Sequence, residues 1–188
     1  MKTKQAFTLI ELLMVISIIG VLAGILIPTV GAVRKQANIA ASKSQLSNYV
    51  TAMTVFKSEY GYFPLATGTA DSKEIKLDDD SKTFIETLSG RDATSGDPVA
   101  VGGNRRGIAF LSFSESELYR DDSDDVVLTK LSDRFNNPNI VIVVDTDGNG
   151  YVSPKGPTSN EGRIKTAVTA YVSNPEDDDN FEDYKLWD

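Results

Sequence analysis

Asp145, Thr146, Asp147, Gly148, Asn149, Gly150 and Tyr151 put acids or an amide at the first, third and fifth places of a short loop. A glycine stands at the sixth and a backbone carbonyl at the seventh. Oxygen donors at that spacing, with glycine making the sharp turn, are what calcium takes in the first half of an EF-hand loop. The second half is lacking. The twelfth place, where a bidentate Glu belongs, is Gly156, and Pro154 precludes a regular helix leaving the loop. Asp-Gly and Asn-Gly beside a β run are also hairpin-turn dipeptides, so the same residues read equally as a turn. As a calcium site, Asp145, Asp147, Asn149 and the Tyr151 carbonyl need a further carboxylate. Asp177, Asp179 and Asp183 are the nearest acidic supply.

The second chemically marked residue is Glu11, the single acid in the run Phe7 to Pro28, FTLIELLMVISIIGVLAGILIP. That run has the length a helix needs to cross a bilayer, roughly twenty residues at ~1.5 Å rise each. An acid at the centre of such a span costs roughly 2.5 to 3.5 kcal/mol, and less near an end, so Glu11 is expected to have a partner. A cut between Ala6 and Phe7 would create an α-amino group one helical turn from it. A secretory signal peptide has an apolar core of only about 7 to 15 residues, and a plain anchor has no use for Glu11.

Composition narrows the chemistry. The 188 residues contain no Cys and no His, which removes a thiol nucleophile, an imidazole base and the usual zinc ligands. No paired-acid geometry for a hydrolase is evident, and the expectation is that the chain is not an enzyme. Beyond the span there is material for one domain of about 130 residues. The net charge of -8 is uneven: residues 1 to 60 hold 6 Lys and Arg against 2 Asp and Glu, and the remainder 13 against 25. An acidic domain does not hold nucleic acid through phosphate contacts. Lys2 and Lys4 before the span are answered by Arg34 and Lys35 after it, so charge asymmetry decides the orientation only weakly.

The elements that position these residues follow from periodicity. Leu46, Tyr49, Val50, Met53, Phe56 and Tyr60 recur at three- and four-residue spacing, which predicts one helix from Phe7 to about Tyr60. Its first half is apolar all round and its second half amphipathic, with Pro28 and Gly31 a weak joint. Gly20 and Gly24 form a small-xxx-small pair suited to close helix approach. The stretch from Gly61 to about Asp80 reads as loop. TFIETLSG reads as a short helix capped by Ser81 and stopped by Gly90, and residues 90 to 107 as another loop. Strands are expected at IAFLSF from Ile108, VVL from Val126, IVIVV from Ile140 and, with period-two alternation, TAVTAYV from Thr166. The acidic clusters Asp121 to Asp125 and Asp177 to Asp179 read as solvated loops.

With these residues in view the chain resembles the type IV pilin superfamily, whose precursors have a short basic leader, a cut before Phe, and TLIE opening a long apolar helix. Here these are Lys2, Lys4, Gln5, Ala6, then Phe7, Thr8, Leu9, Ile10 and Glu11. The family usually has Gly where Ala6 stands. Phe56, Gly61, Phe63 and Pro64 loosely resemble the helix exit of type II secretion pseudopilins. Asp133, Phe135, Asn137 and Pro138 resemble their passage into the sheet, and the acidic ending before Trp187 resembles their close.

The resemblance implies an α+β, pilin-like fold: a leader at 1–6, a membrane-spanning or filament-core half-helix at 7–32, an amphipathic half at 33–61 and a globular domain with a small antiparallel sheet at 62–188. It further implies a structural subunit cut at Ala6–Phe7 by a prepilin peptidase and methylated there. The subunit would sit in the inner membrane with its domain in the periplasm. From there it would self-associate, through Glu11, into a type II secretion filament alongside other pseudopilins and an inner-membrane assembly platform. Pseudopilins of this kind bind calcium in their C-terminal loops, which supports the loop reading by resemblance. The alternatives are a type IV pilus subunit and a membrane-anchored calcium-binding module that never polymerises.

Overall fold

The computed structural model describes residues 9–66, 70–155, 162–173 and 183–187. The chain divides into two compact units, Met1–Asn38 and Ile39–Asp188. Helix α1, Leu9–Tyr60, is continuous over 52 residues and runs through Pro28 and Gly31 without interruption. The expected single helix is therefore observed, with Phe7 and Thr8 outside the described residues.

In the first unit every large apolar side chain from Leu9 to Val33 is exposed, and none of its most apolar 18-residue window is buried. Water gives no reason for such a surface; a lipid or protein environment does. Two hydroxyls here bond back to the helix. Ser17 Oγ donates to the Leu13 carbonyl at 2.8 Å and Thr29 Oγ1 to that of Ile25 at 2.6 Å, which satisfies both hydroxyls without water.

In the second unit the predicted stripe is the core. Leu46, Tyr49, Met53 and Phe56 are buried, with Val50 and Tyr60 at the margin. They are clustered with one face of a four-stranded antiparallel sheet ordered β1-β4-β5-β6, where β1 is Ser72–Lys76, β4 Ile140–Asp145, β5 Val168–Val172 and β6 Tyr184–Lys185. That face carries Ile75, Ile140, Ile142, Val144, Val168, Ala170 and Val172. Helix α2, Leu77–Ser89, adds Phe84 and Leu88, the Phe84 ring meeting Tyr49 edge-on at 5.4 Å. A separate hairpin pairs β2, Leu118–Arg120, with β3, Val126–Leu131, and the Asp-rich segment 121–125 makes its turn. The α+β architecture is pilin-like: one long N-terminal helix and a small antiparallel sheet.

Four expectations need correction. The stretch before Asp80 is not all loop, because Ser72 to Lys76 pair in full register with β4 and α2 begins at Leu77. Ser81 is no cap. It lies inside α2, hydrogen-bonds the Leu77 carbonyl and accepts the buried Leu131 N–H at 2.9 Å. IAFLSF forms no strand: the N–H groups of Phe110 and Leu111 both reach the Leu88 carbonyl at the end of α2, while the Phe110 and Phe113 rings pack on Phe56 and Tyr49. Finally, β5 is buried at all five positions. Its second face is also covered, by a cluster of Val141, Val143, Val152 and Tyr171 that Trp187 joins edge-on, so no wet face remains to show alternation.

Gly90 ends α2 as expected, at φ +66°, with its N–H on the Glu86 carbonyl. A Cβ there would lie 2.5 Å from the Gly107 carbonyl oxygen.

Candidate functional site

Glu11 is in the first turn described for α1, where a carboxylate complements the positive end of the helix, and its side chain is exposed among exposed apolar neighbours. Ala6 and Phe7, the expected processing residues, lie outside the described residues. What the structure contributes is the context: an acid at the start of an apolar segment that its own unit does not cover.

The loop after β4 is drawn together by its own side chains. Asp145 is buried, and its two oxygens accept the Gly148 and Gly150 N–H groups, each at 2.8 Å. Asp147 accepts from the Asn149 backbone N–H at 3.1 Å and from its side-chain amide at 2.6 Å, and Asn149 Oδ1 accepts the Tyr151 N–H at 2.8 Å. Gly150, to which the sequence assigned the sharp turn, takes a φ of +80°, and Gly148 takes +77°. Burial pushes the Asp145 carboxyl up, but the two glycine N–H donors and smaller contributions from Asp147 and the Lys57 charge prevail, holding it below its ordinary value. Asp147 and Asn149 are exposed.

The donor set suits calcium in kind: hard oxygens, two of them carboxylates, on a glycine-bent loop. In number it falls short, since no three acids converge among the described residues. Asp177 and Asp179 lie outside them, and Asp183 is exposed beside β6.

Two carboxylates, Asp133 and Glu117, have structural tasks that the sequence reading did not assign. Asp133 accepts the Phe135 N–H at 2.7 Å, the Asn137 N–H at 2.8 Å and the Tyr184 hydroxyl. Burial nevertheless raises its pKa, outweighing those three donors. Glu117 accepts the buried Tyr49 hydroxyl at 3.0 Å and is likewise raised, burial again prevailing. Asn137, next to Pro138, ties the same passage to β5 by donating to the Ser173 carbonyl at 2.9 Å. The Asp-x-Phe-x-Asn-Pro spacing was the available signal, but Tyr184 lies 51 positions from Asp133 and no local pattern announces it.

No curated protein and no solved structure matches the chain. One family model does, over residues 1–27, described as the prokaryotic N-terminal methylation motif. With a membrane-capable helix opening at Leu9 and a small antiparallel sheet behind it, the chain carries the N-terminal signature of type IV pilin and pseudopilin precursors, the substrates of prepilin-type peptidases.

Proposed function

We propose that this chain is a structural subunit, a pseudopilin of a type II secretion filament, cut between Ala6 and Phe7 by a prepilin peptidase and methylated on Phe7. The observation that carries the reading is the bare apolar segment of α1 with Glu11 at its start. Before assembly lipid covers that surface; afterwards the same segments of neighbouring subunits do, and Glu11 meets the Phe7 amine of a neighbour in an ion pair that offsets the cost of an acid in an apolar span. The acidic domain faces the periplasm, and other pseudopilins and an inner-membrane platform are the partners. No catalytic step is assigned, in keeping with a chain lacking His and Cys. N-terminal sequencing of the membrane-extracted protein is expected to give Phe-Thr-Leu-Ile-Glu with a modified first residue; a Met1 start in cells with an active peptidase overturns the reading. Type IV pilus and secretion filament are separated by genomic context, since a neighbouring secretin and secretion ATPase name the latter.

Calcium at the Asp145 loop is the second part of the proposal, favoured by the two positive-φ glycines at the fourth and sixth places. Asp145, Asp147, Asn149 and the Tyr151 carbonyl would hold the ion with an acid from Asp177 or Asp179. Its contribution would be to neutralise the carboxylates and pin the C-terminal loop. Bound only by the folded form, it adds RT ln(1 + [Ca]/Kd), about 2.7 kcal/mol at a hundredfold excess over Kd. Thermal midpoints that are the same in calcium, magnesium and chelator remove this part.

A further inference from the structure

Beside the loop lies a cavity of about 250 Å³ lined by Lys57, Gly61, Phe63, Asp145, Thr146 and Asp147 among others. Lys57 projects from the last turn of α1 with its Nζ 4.3 Å from the centre of the Phe63 ring, and Phe63 is itself buried. Of the residues lining the cavity Lys57 is the one cation, and Asp145 and Asp147 are the two acids. An ammonium held against an aromatic face has its stem fixed by packing and its direction set by the ring, so it returns to the same place at little entropic cost. Two carboxylates separated by one residue repel each other, and a tethered positive charge in a shared, partly desolvated cleft offsets that repulsion with no ligand present.

We propose that Lys57 is the resident counter-cation of the Asp145–Asp147 turn, stabilising it without metal and competing with any divalent cation that enters. The competitive half rests on the calcium reading above; the counter-cation half does not. A tethered ammonium acts at high effective concentration, so a metal must displace it as well as assemble its oxygens. The calcium affinity of the loop is therefore lowered by a residue that is not a ligand, on the helix rather than in the loop.

The test is a double-mutant cycle on the full chain in detergent micelles. Lys57→Met keeps the stem against Phe63 and removes the charge, Lys57→Arg keeps the charge, and Asp147→Asn removes the charge of an exposed acid that accepts from Asn149 within the same loop. Asp145→Asn is run in parallel, with Asp147→Asn standing if it fails to fold. In chelator, Lys57→Met is expected to lower the thermal midpoint in the parent background, to have a clearly smaller effect once Asp147 is Asn, and Lys57→Arg is expected to stay near the parent; equal effects in both backgrounds overturn the assignment. In calcium titrations by calorimetry, Lys57→Met is expected to bind about fivefold or more tightly than the parent. Unchanged affinity overturns the competition. If no variant responds to calcium, the calcium reading fails, and the cycle in chelator still decides whether Lys57 is the counter-cation.

Discussion

The Tyr184 hydroxyl donates to the Asp133 carboxylate, joining the last strand of the sheet to the turn that leads into β4. β6 pairs with β5 over two residues, and this bond adds a side-chain tether to the packing of Tyr184 and Leu186 on the core. Tyr184→Phe leaves a buried carboxylate oxygen without its donor, an expected loss of about 1 to 3 kcal/mol. Hydrogen exchange should localise the loosening to residues around β6 and leave α1 from Leu46 to Phe56 as protected as before.

The same group gives a pH dependence whose sign is fixed. Asp133 and Glu117 are raised above ordinary values of 3.8 and 4.5, so the folded chain binds more protons than the unfolded one in that window. Their contribution to stability is fully present below those values and is lost as pH rises through the raised ones. Asp145, lowered, acts oppositely: its contribution is present above 3.8 and lost as pH falls through its folded value. Denaturation of Glu117→Gln beside the parent should therefore show the variant gaining relative to the parent as pH rises from 4.5 through the raised value. A pH-independent difference would count against a raised Glu117.

Ser81→Ala separates the two roles this residue has been given. An exposed cap would cost about 1 kcal/mol. Losing the acceptor for the buried Leu131 N–H costs about 1 to 3 kcal/mol and loosens β3 rather than the start of α2. Amide exchange at Leu131 is the readout.

Gly90→Ala combines a positive φ with a Cβ driven into the Gly107 backbone, and a loss of about 2 to 4 kcal/mol is expected. Gly61→Ala, also at positive φ but with open space around its Cβ, should cost about 1 to 2 kcal/mol. Melting the pair side by side separates backbone strain from collision.

Glu11→Leu should leave cleavage and the melting of the second unit unchanged while filament yield falls. The substituted span is easier to hold in lipid, so monomer accumulates. Normal filament yield from this variant would remove Glu11 from the assembly step.

What the sequence made legible is what local pattern encodes. The apolar run and the Leu46-to-Phe56 stripe predicted α1, and the β-branched run from Ile140 predicted β4. Strand β1 was missed because SKEIK offers one apolar side chain, and its structure comes from pairing with β4 some seventy residues later. IAFLSF misled in the other direction, since its aromatics are recruited by Tyr49 and Phe56 while its N–H groups cap α2. Ser81 misled because three preceding aspartates, poor interior helix formers but favourable in a first turn, hide a helix start at Leu77. At the candidate loop the residue types were legible, but the approach of Lys57 was not, being set by packing between α1 and Phe63.

The hydrogen bond from the Gly150 N–H to Asp145 also bears on how the protein ages. Asn-Gly is the dipeptide most prone to deamidate, because the glycine nitrogen attacks the asparagine side-chain carbonyl to close a succinimide. Here that nitrogen is held by a buried carboxylate while Asn149 Oδ1 is occupied by the Tyr151 N–H, so both reacting partners are restrained. Asn149 should therefore survive in the folded chain and convert in the denatured one, which peptide mapping of native and urea-incubated samples will show. Aspartate found at position 149 would then record that a molecule had spent time unfolded.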